Sequence, residues 1–243
     1  MARAKRTRTD PRRRTPRPLG GRRSQPQPGT AVPYVRALTM HLQQKHIDAL
    51  DKAETLMFHS DFCPYLELKE LLPDASSHAR RRFRSLFTTY YGLNVGGLTD
   101  AFRDRFFEIL FGKKVIANGQ PAFRPILNEL SSIPRKRGDC AVPFSFVSKL
   151  VAIHWETSPI YDRHVRAFFV KEAPAASQPK EDRIAWYIGF LDQVAADYTR
   201  WAQDGRLIPI MDRLKARDQR LPECAVVRLV DFLVWKAGKE NLL

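Results

Sequence analysis

Between residues 182 and 203 the apolar side chains Ile184, Tyr187, Ile188, Leu191, Val194, Ala195, Tyr198 and Trp201 recur in steps of three and four. That is the period of a helix with one buried face. No run of strict apolar and polar alternation, the mark of a half-buried strand, answers it elsewhere. The helical pattern repeats through the body of the chain. Over 76–91, Ala79, Phe83, Leu86, Phe87 and Tyr90 share one side, with Arg80, Arg81, Arg82 and Arg84 largely around the other, and Gly92 marks a stop. Thr99 suits an N-cap, with Phe102, Phe106, Ile109 and Leu110 as the next stripe and Gly112 as its end. A last segment starts near Pro222 and stops at Gly238. Its β-branched content would allow a strand, but its length and both ends favour a helix. The expectation is an all-α domain over residues 31–243, with no internal repeat.

Residues 1–30 have a different character. They hold ten Lys and Arg against the single acid Asp10, five prolines and almost no apolar residues. Such a segment cannot bury enough surface to offset its ordering entropy, so it reads as a disordered basic tail. It carries +9 of the chain's formal net charge of +15. A field of that sign attracts polyanions, and a basic arm adds phosphate contacts that are blind to sequence and sensitive to salt. A solubilising extension is the plainer reading of the same residues. No run nears the roughly 20 apolar residues of a bilayer span. Cys63, Cys140 and Cys224 are far apart and form no CxxC pair, which argues against zinc, iron–sulfur clusters and a disulfide framework. The six histidines include no HExxH and no paired spacing. The expectation is a protein of the cytoplasm, associated with the nucleoid, with no metal and no cofactor.

The segment 123–169 carries the chemistry. A short amphipathic helix over 123–132 is followed by the cationic connector Pro134-Arg135-Lys136-Arg137-Gly138-Asp139. A second helix over 144–155 is apolar nearly all round, which marks it as buried. A loop with Pro159 leads to Asp162, placed to open a third helix over 163–169.

This order of parts resembles the helix-hairpin-helix DNA glycosylases, the superfamily of endonuclease III and 8-oxoguanine glycosylase. In that family a helical hairpin grips a phosphate, and a loop of the form Val-Pro-Val-Asp-x-His-Val sets a catalytic aspartate at the mouth of the next helix. The matching stretch here is Pro159-Ile160-Tyr161-Asp162-Arg163-His164-Val165. The chain departs from the family in three respects. The hairpin keeps only Gly138 of the usual Leu-Pro-Gly-Val-Gly, so charge from Arg135, Lys136 and Arg137 would have to hold the phosphate. The turn where bifunctional members carry a Schiff-base lysine reads Pro143-Phe144-Ser145. Lys149 is the nearest lysine, about 140° around the helix from Phe144. The cysteine loop of the iron–sulfur members is absent. The resemblance therefore implies a monofunctional hydrolase.

Each residue also has a plainer reading. Asp162 as an N-cap accepts backbone N–H bonds at a positive helix end, which alone would explain it. As the catalytic group it would stabilise the positive charge that grows on the sugar as the base leaves. The two roles are compatible. His164 could meet a phosphate or simply pack. Tyr161 and Trp155 could line a pocket for a flipped base, although core packing is the commoner fate, above all for Trp155. Arg80, Arg81 and Arg84 form a candidate DNA-backbone patch or a solvated helix face. Asp100, Asp104 and Glu108 read as a solvated stripe. The expected partner is double-stranded DNA, bound by a monomer, with no membrane contact. The expected activity is hydrolytic excision of a damaged or modified base, in repair or against modified phage DNA. The rivals are a nucleic-acid-binding protein without catalysis and a helical protein whose tail targets an acidic partner.

Overall fold

The computed structural model describes residues 40–243, apart from 95–96, 113–114, 118–119 and 170–171. The basic tail expected at 1–30 lies outside the described residues. Among the described residues the chain forms ten α-helices: α1 (Gln44–Thr55), α2 (His59–Leu71), α3 (Ser77–Tyr91), α4 (Asp100–Phe111), α5 (Phe123–Leu130), α6 (Phe144–His154), α7 (Arg163–Phe168), α8 (Lys180–Trp201), α9 (Ile208–Lys215) and α10 (Val226–Lys239). The all-helical class expected from the periodicity is what the structure has.

Local chemistry explains the ends. Ser76 Oγ accepts the Ala79 amide at 3.1 Å and opens α3. Gly92 closes it at φ 72°, a left-handed conformation that costs glycine nothing. Thr99 Oγ1 accepts the Phe102 amide at 3.3 Å and opens α4.

Three sequence expectations need correction. First, one piece of sheet exists: β1 (Ile116–Ala117) pairs antiparallel with β2 (Gln120–Pro121). The two residues between them, Asn118-Gly119, are a hairpin dipeptide in plain sight. The same kind of dipeptide at Asp204-Gly205 separates α8 from α9, so the signal needs strand-forming flanks to act. Second, Pro222 does not start the last helix. It lies in a separate 3-10 turn, Leu221–Glu223, and α10 begins only at Val226. Third, Gly238 does not end α10; it lies inside the last turn.

Gly238 is there for a packing reason. A Cβ at this position would stand 2.7 Å from the carbonyl carbon of His164 and overlap its oxygen. The glycine lets α10 meet the first turn of α7 backbone to backbone. Gly238→Ala is expected to push α7 away and to cost about 1–3 kcal/mol, the range for overpacking a tight interior. Chemical denaturation with an unchanged m-value would register it.

The core is continuous, and α10 is central to it. Val227, Leu229, Val230, Phe232, Leu233, Val234 and Ala237 are all buried. A helix apolar on every side belongs inside a domain. It also carries Arg228, Asp231 and Lys236 into the interior, each at most 3% exposed. Charges survive there only when paired. Lys236 meets Asp61 of α2 at 3.0 Å. Arg228 pairs with Asp231 one turn away.

Candidate active site

The segment 123–169 forms α5, the connector, α6, a loop and α7 in that order. α5 packs on α6, with the Phe123 and Phe144 rings 6.1 Å apart. In the connector, Gly138 turns at φ 81° and its amide donates to Arg135 O at 2.8 Å. The Lys136 amide donates to Gly97 O at 2.8 Å, and Thr99 Oγ1 donates to Pro134 O at 3.2 Å. The connector is thereby fastened beside the N-terminus of α4.

Asp162 caps α7. Its Oδ1 accepts the His164 amide at 2.8 Å and the Val165 amide at 2.9 Å. Both cap bonds fall on one oxygen, so Oδ2 of this half-buried carboxylate is not spent on the helix. The capping role is therefore present, and a second role needs only the other oxygen.

The loop before Asp162 is pinned from two helices. Ser148 Oγ of α6 accepts the Tyr161 amide at 3.0 Å and lies 3.3 Å from Tyr161 O. Arg228 Nη2 of α10 donates to Ser158 O at 2.8 Å. The carboxylate of Asp231 accepts the Ile160 amide at 3.3 Å. Ser148 and Arg228 are fully buried and Asp231 is nearly so. Burial pushes the Asp231 carboxyl up to about 6, against the pull of the Arg228 guanidinium beside it.

Lys149, which the sequence reading set aside, lies on α6. Phe144 faces Tyr161, with ring centres 5.2 Å apart, while Lys149 lies about 140° further around the helix. Lys149 is buried; its ammonium donates to Ser145 Oγ at 3.2 Å and lies 5.6 Å from the centre of the Tyr91 ring. Burial lowers its pKa, and the charge of Asp162 acts in the opposite direction.

The other candidates divide. Tyr161 is buried among Phe144, Tyr187 and Phe190, the last two centred 5.1 and 5.6 Å away. Burial pushes its phenol up to about 12. The structure places it in the aromatic core rather than in an open cleft. Trp155 is half-buried at the C-terminus of α6. The His164 ring stands edge-on to Trp235 at 6.1 Å, and the Arg163 Nε–H donates to its Nε2 at 3.2 Å.

Of the cations, Arg135 is bound to Asp139 four residues on, whereas Lys136 and Arg137 are exposed. Arg80 and Arg81 are exposed on α3, with Arg80 over the Phe111 ring at 5.3 Å. Arg84 lies over Phe107 at 4.8 Å and pairs with Asp104 at 2.5 Å. Asp100 at the start of α4 is held below the usual carboxylate range chiefly by its pair with Arg103, with a smaller pull from Lys136. Arg80 and Arg84 thus lie over the C-terminal half of α4, and the connector with Lys136 is fastened beside its N-terminus. A shallow groove of about 370 Å³ lies between α3 and α4. Its arginines Arg84 and Arg103 are each answered by an aspartate, Asp104 and Asp100, so it offers a phosphate no net charge.

Sequence reasoning did not single out Ser148, Arg228 or Asp231, which hold the loop before Asp162. The signal was partly there: an Arg–Asp pair at i, i+3 inside a largely apolar helix announces buried charge. No group of three or more His, Cys, Asp or Glu side chains arranged to hold a metal ion occurs among the described residues. No helix among them is long and apolar enough to cross a membrane. Comparison of the chain with protein-family models, curated proteins and solved structures found no match.

Proposed function

We propose that the protein is a DNA glycosylase-like enzyme of the helix-hairpin-helix kind, which flips a damaged or modified base from duplex DNA and hydrolyses its N-glycosidic bond. One observation carries this reading. Asp162 sits at a helix mouth beyond a hairpin-like pair of helices, spends one oxygen on the cap and keeps the other. Breaking the glycosidic bond leaves positive charge on the sugar, and a fixed carboxylate stabilises it. The same oxygen can take a proton from the attacking water, which adds hydroxide to C1′ as the base departs with the bonding electrons. The base must leave the stack to reach such a site. The exposed cations Arg80, Arg81, Lys136 and Arg137 supply backbone contacts in this reading.

Alkali-revealed cleavage of duplexes bearing a panel of damaged and naturally modified bases tests the reading. Cleavage that appears only after alkali supports hydrolysis by water. Cleavage without alkali, with a borohydride-trapped adduct lost in Lys149→Met, would make the Lys149 amine the nucleophile and correct the hydrolytic assignment. No cleavage with any duplex, while salt-sensitive binding persists, would favour a non-catalytic DNA-binding protein. The two cap bonds on Asp162 Oδ1 are the observation on that side.

Binding itself has an expected signature. The logarithm of the binding constant should fall linearly with the logarithm of salt concentration. Removing an exposed connector cation by Lys136→Gln or Arg137→Gln should reduce that slope by about 1 per lost phosphate contact. An unchanged slope would take the connector out of the interface.

A further inference from the structure

Asp162 owes its place to three side chains that never reach the surface. Ser148 from α6 and Arg228 and Asp231 from α10 take up the backbone amides of Ile160 and Tyr161 and the carbonyl of Ser158. These are the residues that lead directly into the Asp162 cap. Arg228 also reaches Ala152 O of α6 at 3.4 Å, so one guanidinium spans the helix that carries Lys149 and the loop that carries Asp162. Gly238 brings the first turn of α7 onto α10 at backbone distance. A loop made only for packing would not need a buried ion pair, which is costly to desolvate and often replaceable by apolar residues without loss of stability.

We infer that Ser148 and the Arg228–Asp231 pair are positioning residues, which fix the Asp162 carboxylate at the mouth of α7 and relative to the sugar of a bound nucleotide. The inference rests on the reading of Asp162 as the working carboxylate. None of the three touches the reacting atoms. They act through the Ser158–Tyr161 backbone, and displacement of a reacting group by about 1 Å is enough to cost roughly 10²-fold in rate.

The test uses the full chain and two variants, Ser148→Ala and the paired Arg228→Met/Asp231→Leu, each checked for native helicity and a cooperative melt. The first readout is the titration midpoint of the Lys149 ammonium, followed by ¹⁵N-lysine NMR and assigned by its loss in Lys149→Arg. Asp162→Asn removes the charge that supports the protonated amine and should lower this midpoint. Either positioning variant should move it toward the Asp162→Asn value, although both keep Asp162. The second readout is single-turnover base release, expected to fall about 10- to 100-fold with the dissociation constant for DNA within twofold. A folded Ser148→Ala protein with the wild-type Lys149 midpoint would overturn the inference. If the paired variant does not fold, Ser148→Ala decides alone, since it removes one hydroxyl and leaves the ion pair intact. A wild-type protein that releases no base would sink the proposed function, and the Lys149 midpoint would still decide the positioning role.

Discussion

Asp162→Asn is expected to lower base release by about 10²–10³-fold, the loss seen when one preorganised group that stabilises transition-state charge is removed. The substitution separates the two duties of the residue. Asparagine is as good an N-cap as aspartate, and its side-chain oxygen can still accept the His164 and Val165 amides. The helix α7 should therefore stay in place, with a melting temperature close to wild type. What disappears is the negative charge at Oδ2, and with it the stabilisation of a cationic sugar and the base for water. Affinity for DNA should hold or rise slightly, because a negative charge has left a basic surface. Single-turnover kinetics beside equilibrium binding checks this. Equal rates for wild type and variant would reduce Asp162 to a cap. Loss of rate together with loss of the folded state would mean that the charge serves the fold.

Arg228→Met should have the largest effect on stability of any single substitution considered, about 3–5 kcal/mol, the cost of stripping one partner from a buried pair. Methionine fills much of the arginine stem, so the loss would not be a cavity effect. The cost has two sources. Asp231 is left as a carboxylate with no cation in a desolvated place, and the carbonyl of Ser158 loses its 2.8 Å donor. The paired Arg228→Met/Asp231→Leu protein should regain the part of that stability lost to the lone charge, while the Ser158 carbonyl and the Ile160 amide stay without their partners. Denaturant unfolding of the single and double variants measures the difference. If the single variant is as stable as wild type, the interior around α10 is wetter than its burial implies.

The contrast between these residues shows what was legible in the sequence. Helices with a clean stripe were readable with their ends: Ser76 and Gly92 bound α3, and Thr99 opens α4, because caps act locally. Asp162 was readable as a cap for the same reason, since its partners lie two and three residues away. The short helices α1 and α9 were not. Their few apolar residues, Ile47, Leu50 and Ala53 in one and Ile210, Met211 and Leu214 in the other, gain meaning only against α10 and each other. Gly238 looked like a helix stop because glycine has two uses, and the close approach of His164 is a tertiary fact.

The electrostatic part of the site was the least legible. Ser148 on α6 and the Arg228–Asp231 pair on α10 lie about 80 residues apart along the chain, and both hold the loop that leads into Asp162. Ser148 has an unremarkable local setting, and the i, i+3 spacing of Arg228 and Asp231 is shared by exposed pairs such as Asp100 and Arg103. Their burial, together with the pairing that burial demands, is what singles them out.

The most direct measurement is detection of a free base by mass spectrometry after incubating the protein with duplexes that each carry one damaged or naturally modified base. The account predicts that at least one duplex yields free base and abasic strand in equal amounts, and that Asp162→Asn yields neither in the same time. Tight, salt-sensitive binding to every duplex with all bases retained would contradict it, and would leave Asp162 as the cap of α7 in a DNA-binding protein.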